Sequence, residues 1–143
     1  MFSPDLKAAL TSARDEAARL RHESIQPLHL ALGALSAPHP DLSALLPDSV
    51  RAEMRDALVA GITDGVDRGQ WKFDLPYSDE AKAALEVAHL EAKACAHAPV
   101  SSSHLLCAVL VNDRDIRRTL GVHGVSPEAV RAALRAAPSS GAA

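Results

Sequence analysis

Aromatic residues are scarce in this sequence: its 143 residues include two Phe, one Tyr and one Trp. Proteins that grip single strands by base stacking need several rings on one platform. A formal net charge of -3 also leaves no cationic excess for phosphate contacts. Nucleic acid is therefore not an expected partner. Cysteine is equally rare, and Cys95 and Cys107 are too few for a disulfide framework. No apolar run approaches the roughly 20 residues that span a bilayer. The opening MFSPDLKAAL lacks the basic and then apolar stretch of a secretory signal. A cytoplasmic protein with no membrane partner is expected. The seven glycines are scattered, without a G-x-x-x-x-G-K-S/T phosphate loop, so these residues carry no ATPase and no cofactor is expected.

What is plentiful is Ala and Leu. Ala loses no rotamer entropy in a helix, whereas β-branched residues do, so this choice favours an all-α fold. A chain of about this length buries roughly 68–70% of its unfolded surface and needs neither disulfide nor metal to fold.

The sequence repeats itself. Shifted by 75 positions, residues 3–35 align without a gap on residues 78–110, and 12 of the 33 pairs are identical. The matches include Ser3 with Ser78, Lys7 with Lys82, Glu16 with Glu91, His22 with His97 and His29 with His104. Convergence on an Ala-rich helix explains matched alanines but not two histidine pairs at one separation, so duplication is the better account.

Caps and periodicity give four helices per half. Ser3-Pro4-Asp5 reads as an N-cap, a first-turn proline and a favourable acid. Leu6, Leu10, Ala13, Ala17 and Leu20 form its apolar stripe, with an end near His22. A second helix runs from Pro27 to the Pro38-His-Pro40 break, a brief turn spans Leu42 to Leu46, and a fourth helix runs from Asp48 to Ala60. The second half has Ser78 as cap and Ala81, Leu85, Ala88, Ala92 and Cys95 as stripe. Helices from Ser102 to Val111 and from Asp113 to Leu120 follow, and Ser126-Pro127-Glu128 opens the last. The expected organisation is repeat 1 over 2–60, a linker over 61–76, repeat 2 over 77–137 and a disordered tail over 138–143. Trp71, Phe73, Leu75 and Tyr77 alternate at the linker's end, as in an extended segment lying on the helices.

This pattern resembles the double Clp N-terminal repeat domain at the front of Clp-type AAA+ unfoldases, especially the ClpC group. The resemblance rests on Phe2-Ser3, on Pro76-Tyr77-Ser78-Asp-Glu-Ala-Lys82, and on the paired segments His22-x-x-Ile25-x-x-x-His29-Leu30 and His97-x-x-Val100-x-x-x-His104-Leu105. It implies an eight-helix, pseudo-twofold, non-enzymatic module that recognises substrates or adaptor proteins for an unfoldase-protease, with a Clp ATPase as a further partner. It leaves open a free-standing protein or a domain of a longer chain. The alternative function is a decoy that sequesters macrocyclic peptides or competes for Clp adaptors. The resemblance further implies a peptide or adaptor patch at Phe2, Tyr77, Lys82 and Lys7. Relatives that bind phosphoarginine resemble one another in a Glu just before the second-helix histidine. Leu28 and Ser103 stand there instead, so no preference for phosphoarginine is expected.

Other constellations have simpler readings. Cys95, His97, His104 and Cys107 are zinc-competent, yet the repeat sets Leu20 opposite Cys95 and Leu32 opposite Cys107. Both cysteines are thus expected as small core residues, and no metal is expected. His22, His97, His29 and His104 recur in both halves, which suits a structural role at the helix turns, with the imidazoles donating to open carbonyls. Ser101 to Ser103 beside His104 lack an orienting carboxylate, and helix capping is the expectation. Glu16 and Glu91 are expected either to pair with Lys82 and Lys7 or to face solvent. Arg131 and Arg135 mimic a DNA-reading helix, but Glu53 and Asp56 in the sister half argue against it.

Overall fold

The computed structural model describes residues 3–20, 22, 24–36, 46–60, 76–94 and 100–136. These form seven helices: α1 (Pro4–Arg19), α2 (Pro27–Ser36), α3 (Asp48–Ala60), α4 (Asp79–Ala94), α5 (Ser102–Asn112), α6 (Arg114–Gly121) and α7 (Pro127–Ala136). The chain is all-α, and the only β feature among the described residues is one isolated bridge. Apart from Leu46, the turn expected over 42–46 lies outside the described residues. So do Phe2, Cys95, His97, the linker up to residue 75 and the tail.

Side-chain caps start the helices where Ser and Asp stand. Ser3 Oγ accepts from the Leu6 N–H at 3.2 Å, and Ser78 Oγ accepts from the Ala81 N–H at 3.1 Å. Asp113 does the same for Ile116 at 3.0 Å and Ser126 for Ala129 at 3.1 Å. Each such cap satisfies a donor that the helix cannot, a contribution of about 0.5–2 kcal/mol. At the other end of α1 the His22 N–H reaches the Ala17 carbonyl at 2.9 Å, a bond that closes the last turn.

The fold is built around α2 and α5, which pack on each other. Nearly every residue of both is buried, and a helix covered on all sides must be largely apolar, as PLHLALGALS and SSHLLCAVLVN are beyond the buried polar groups of their first turns, His29, Ser102, Ser103 and His104. The remaining helices repeat around this pair: α1 lies on α2 and α4 on α5, while α3 packs on α2 and α7 on α5. Helix α6 lies between α5 and α3.

The buried row of α1 is Leu6, Ala9, Ala13 and Ala17, and that of α4 is Ala81, Ala84, Ala88 and Ala92. The expected stripes had Leu10 and Leu85 in place of Ala9 and Ala84; both leucines are half-buried at the rim. Small residues take the centre because the backbones are close. A Cβ added to Gly33 of α2 would sit 2.1 Å from the Ala9 carbonyl oxygen.

The two halves exchange their leading segments. Ile25, in the α1–α2 loop, forms a parallel bridge with Tyr77: its N–H donates to the Pro76 carbonyl at 2.8 Å, and its carbonyl accepts from the Ser78 N–H at 2.9 Å. At the sister position the Ser3 N–H donates to the Val100 carbonyl at 2.8 Å. Ser102 Oγ of α5 adds a 2.9 Å bond to Asp5 Oδ2 of α1.

Candidate functional site

The bridge places Tyr77 at the seam between the halves. Its ring is half-buried and packs against the core, and α4 begins two residues later. Lys82, in the first turns of α4, and Lys7, at the matching place on α1, are both exposed. Of the four residues expected to form a binding patch, Tyr77, Lys82 and Lys7 are described, and Phe2 lies outside the described residues.

Neither lysine makes an ion pair with a described residue, and Glu16 and Glu91 neither bond to Lys82 and Lys7 nor simply face solvent, the two alternatives expected, because arginines hold both. Glu16 binds Arg19 of its own helix and Arg55 of α3, the latter at 3.0 Å. Glu91 takes a two-pronged bond from Arg131 of α7, with Nη2 at 2.5 Å and Nε at 3.2 Å. The reason is geometric: α1 turns this face toward α3 and α4 turns it toward α7, while Lys7 and Lys82 point outward. Burial works against the Glu16 carboxylate, but the hydrogen bonds from Arg19 and Arg55 outweigh it and hold its pKa below the ordinary value. For Glu91 the Arg131 bond dominates over burial with the same result. Arg131 is thereby committed to an internal pair. The side chain of Arg135 lies outside the described residues. Arg55 also reaches the Ser36 hydroxyl at 2.8 Å, and Arg51 reaches the Leu35 carbonyl at 3.1 Å, so α3 caps the end of α2.

His29 and His104 work at helix starts, and they accept where donation was expected. His29 and His104 each occupy the third position of a helix and turn Nδ1 back to the main-chain N–H just before it. The Gln26 N–H lies 2.8 Å from His29 and the Ser101 N–H 2.9 Å from His104. This is the job that Glu or Gln performs in a capping box. Because His29 Nδ1 accepts, its proton sits on Nε2, which donates to His22 Nδ1 at 2.7 Å. Burial, and then the neighbouring His22, push the His29 pKa down to about 4. Cys107 lies in the core with no exposure, and burial, followed by the Glu91 charge, raises its thiol to about 12. A thiol so placed is a packing group and not a nucleophile.

Two adjoining clefts lie beside the seam. The larger, of about 670 Å³, is lined by Ser24, Gln26 and Pro27 before and at the start of α2, by Ser78 and Glu80 at the start of α4, and by Asp113 before α6. The smaller, of about 220 Å³, shares Asp113 and is walled by Leu28, Leu58, Ile116 and Thr119, with Asp115. Leu28 therefore supplies an apolar wall at the position considered for a phosphoarginine-binding Glu. Its counterpart Ser103 is buried, and its hydroxyl has no hydrogen-bond partner among the described residues. The clefts were not anticipated from the sequence, where Glu80 stood only within the segment that opens the second repeat and Asp113 only as the first residue of a helix. The signal was the repeat itself, because Glu80 is the counterpart of Asp5 and Pro27 the counterpart of Ser102.

The family model for the Clp repeat (R) N-terminal domain matches residues 1–123. The chaperone protein ClpB of Mycobacterium tuberculosis is 30% identical over 142 residues, as is that of Mycobacterium leprae. In each case the match takes in 93% of this chain but 16% of the relative, so the chain spans about a sixth of those proteins. Among solved structures, the N-terminal domain of the Arabidopsis thaliana chaperone ClpD aligns with a TM-score of 0.70 at 18% identity, over 93% of this chain and 91% of its own. The Hsp104 N-terminal domain of Candida albicans aligns at 0.72 and 16% identity, over 93% and 88%.

Proposed function

Since the chain belongs to the Clp repeat N-terminal domain family, we propose that it is a non-enzymatic module that binds proteins or peptides, namely substrates or adaptors of a Clp-type unfoldase-protease system. The family match carries this reading. The local chemistry agrees with it at three described residues whose side chains are engaged in holding the fold. His29 and His104 cap helices, and the Cys107 thiol is buried with its pKa raised to about 12.

We place the contact surface at the seam, with Tyr77 as its anchor, Lys82 and Lys7 on its flanks and Phe2 as the pseudosymmetric partner of Tyr77. A ring that is half-buried and packed from below offers contact area at low entropic cost. The clefts beside it continue the surface.

Panning the immobilised chain against a random dodecapeptide display library tests the reading. Enriched peptides should bind the wild type and lose affinity for folded Tyr77→Ala, by about tenfold for an aromatic anchor worth about 1.4 kcal/mol. A library that yields no enriched peptide contradicts the proposal. A phosphoarginine peptide should bind no better than its unmodified form, given Leu28 and Ser103 at the two key positions.

A further inference from the structure

The repeat shows what is special about the larger cleft. On one side of the molecule Asp5 of α1 receives a hydrogen bond from Ser102 Oγ at the start of α5, at 2.9 Å. The counterpart of Asp5 is Glu80, and the counterpart of Ser102 is Pro27, which has no donor. Both line the cleft, and Glu80 is exposed and makes no hydrogen bond or ion pair with a described residue. One half closes its seam with a hydroxyl–carboxylate bond. The other leaves an open cleft with a carboxylate at its wall.

The charge balance selects what can enter. The starts of α2, α4 and α6 converge here, and each helix N-terminus carries roughly half a positive charge that favours an anion. Against these stand three full carboxylates, Glu80, Asp113 and Asp115, and no Lys, Arg or His is among the described residues lining either cleft. The helix-end donors are also largely consumed: Gln26 by His29, Ala81 by Ser78 and Ile116 by Asp113. The net field favours a cation. Next to it, across Asp113, the pocket formed by Leu28, Leu58 and Ile116 offers apolar contact.

We infer that the joined clefts bind an extended segment of a partner protein carrying a Lys or Arg beside a long apolar residue. The cation enters the Glu80–Asp113 cleft and the apolar side chain the Leu28 pocket. This inference rests on the reading of the chain as a protein-binding module and specifies the class of segment that it takes.

The panned dodecapeptides test it through their composition. A Lys or Arg adjacent to Leu, Ile, Met or Phe should be enriched, and replacing that cation with Glu in a fluorescent synthetic copy should weaken binding at least about tenfold. The double variant Glu80→Gln/Asp115→Asn, altered only at exposed positions, should remain folded and bind about fivefold more weakly, with the difference shrinking in high salt. Peptides that depend on Tyr77 but lack a cation, or that bind the double variant unchanged, overturn this inference and leave the module reading intact. Enriched acidic peptides would assign the cleft to its helix ends and overturn it as well. If no peptide is enriched, both readings fail together.

Discussion

The main-chain N–H of Ser78 donates to the carbonyl of Ile25 at 2.9 Å, across the seam between the two halves of the chain. Ser3 and Val100 make the sister bond at 2.8 Å. Each half is thus held by the segment that leads into the other, and the Ile25 side chain anchors this crossing in the core, where it is 1% exposed. Truncating it leaves a cavity beside the bridge. Ile25→Ala should destabilise the fold by about 2–5 kcal/mol, measured by urea denaturation. A change below 1 kcal/mol would show that the crossing is not a structural anchor.

Gly33 supplies a harsher test of packing. Its missing Cβ is what lets α2 approach α1, since any Cβ would lie 2.1 Å from the Ala9 carbonyl oxygen. The obstacle is backbone and cannot swing aside. Gly33→Ala should therefore cost at least about 3 kcal/mol even though Ala is the better helix former. The sister position already holds Ala108, so Ala108→Gly should lose only the ordinary helix propensity of about 1 kcal/mol plus the lost methyl packing. Equal effects at the two sites would contradict the asymmetry.

His29 makes stability depend on pH. Its pKa is about 4 in the folded chain against 6.5 for the free side chain, chiefly through burial, then through His22, with Glu16 acting in the opposite direction. Between those values the unfolded chain binds the extra proton, so stability falls as pH drops from 6.5 to 4 and changes no further below that. The depressed pKa corresponds to about 3 kcal/mol lost across the window. His29→Gln keeps an acceptor for the Gln26 N–H and should flatten this part of the profile. Urea midpoints of both proteins at pH 7 and pH 4.5 decide it, and parallel profiles would refute the assignment.

Cys107 should be chemically silent. With the thiol buried and its pKa near 12, a Cys95→Ser chain should react with a disulfide reagent at pH 8 only as fast as it unfolds. Glu91→Ala leaves Arg131 unpaired in its partly buried position, which should destabilise by about 2 kcal/mol and speed that reaction. Rapid labelling of the native chain would contradict the core placement.

Much of this fold is legible in the sequence because its signals are local. Ser3, Ser78, Asp113 and Ser126 cap helices where they stand, and the 75-residue shift that aligns the halves also separates the starts of α1 and α4. What escaped depends on which faces meet. Glu16 and Glu91 find arginines 39 and 40 positions downstream, spacings that differ by one residue and that neither helix alone reveals. Ala9 displaces Leu10 from the centre because Gly33 brings two backbones together. The histidines were legible as a pair of equivalents, but whether an imidazole donates or accepts depends on which main-chain group faces it. The bond from Ser102 to Asp5 has no equivalent at the cleft, where Pro27 and Glu80 stand in their places, and only the fold shows these positions facing each other.

The proposed role of the seam is to bind protein. The most direct measurement is an anisotropy titration of a fluorescent panned dodecapeptide against the wild-type chain and Tyr77→Ala, with circular dichroism confirming that both are folded. The account predicts saturable binding that weakens about tenfold in the variant. Identical affinities would contradict it.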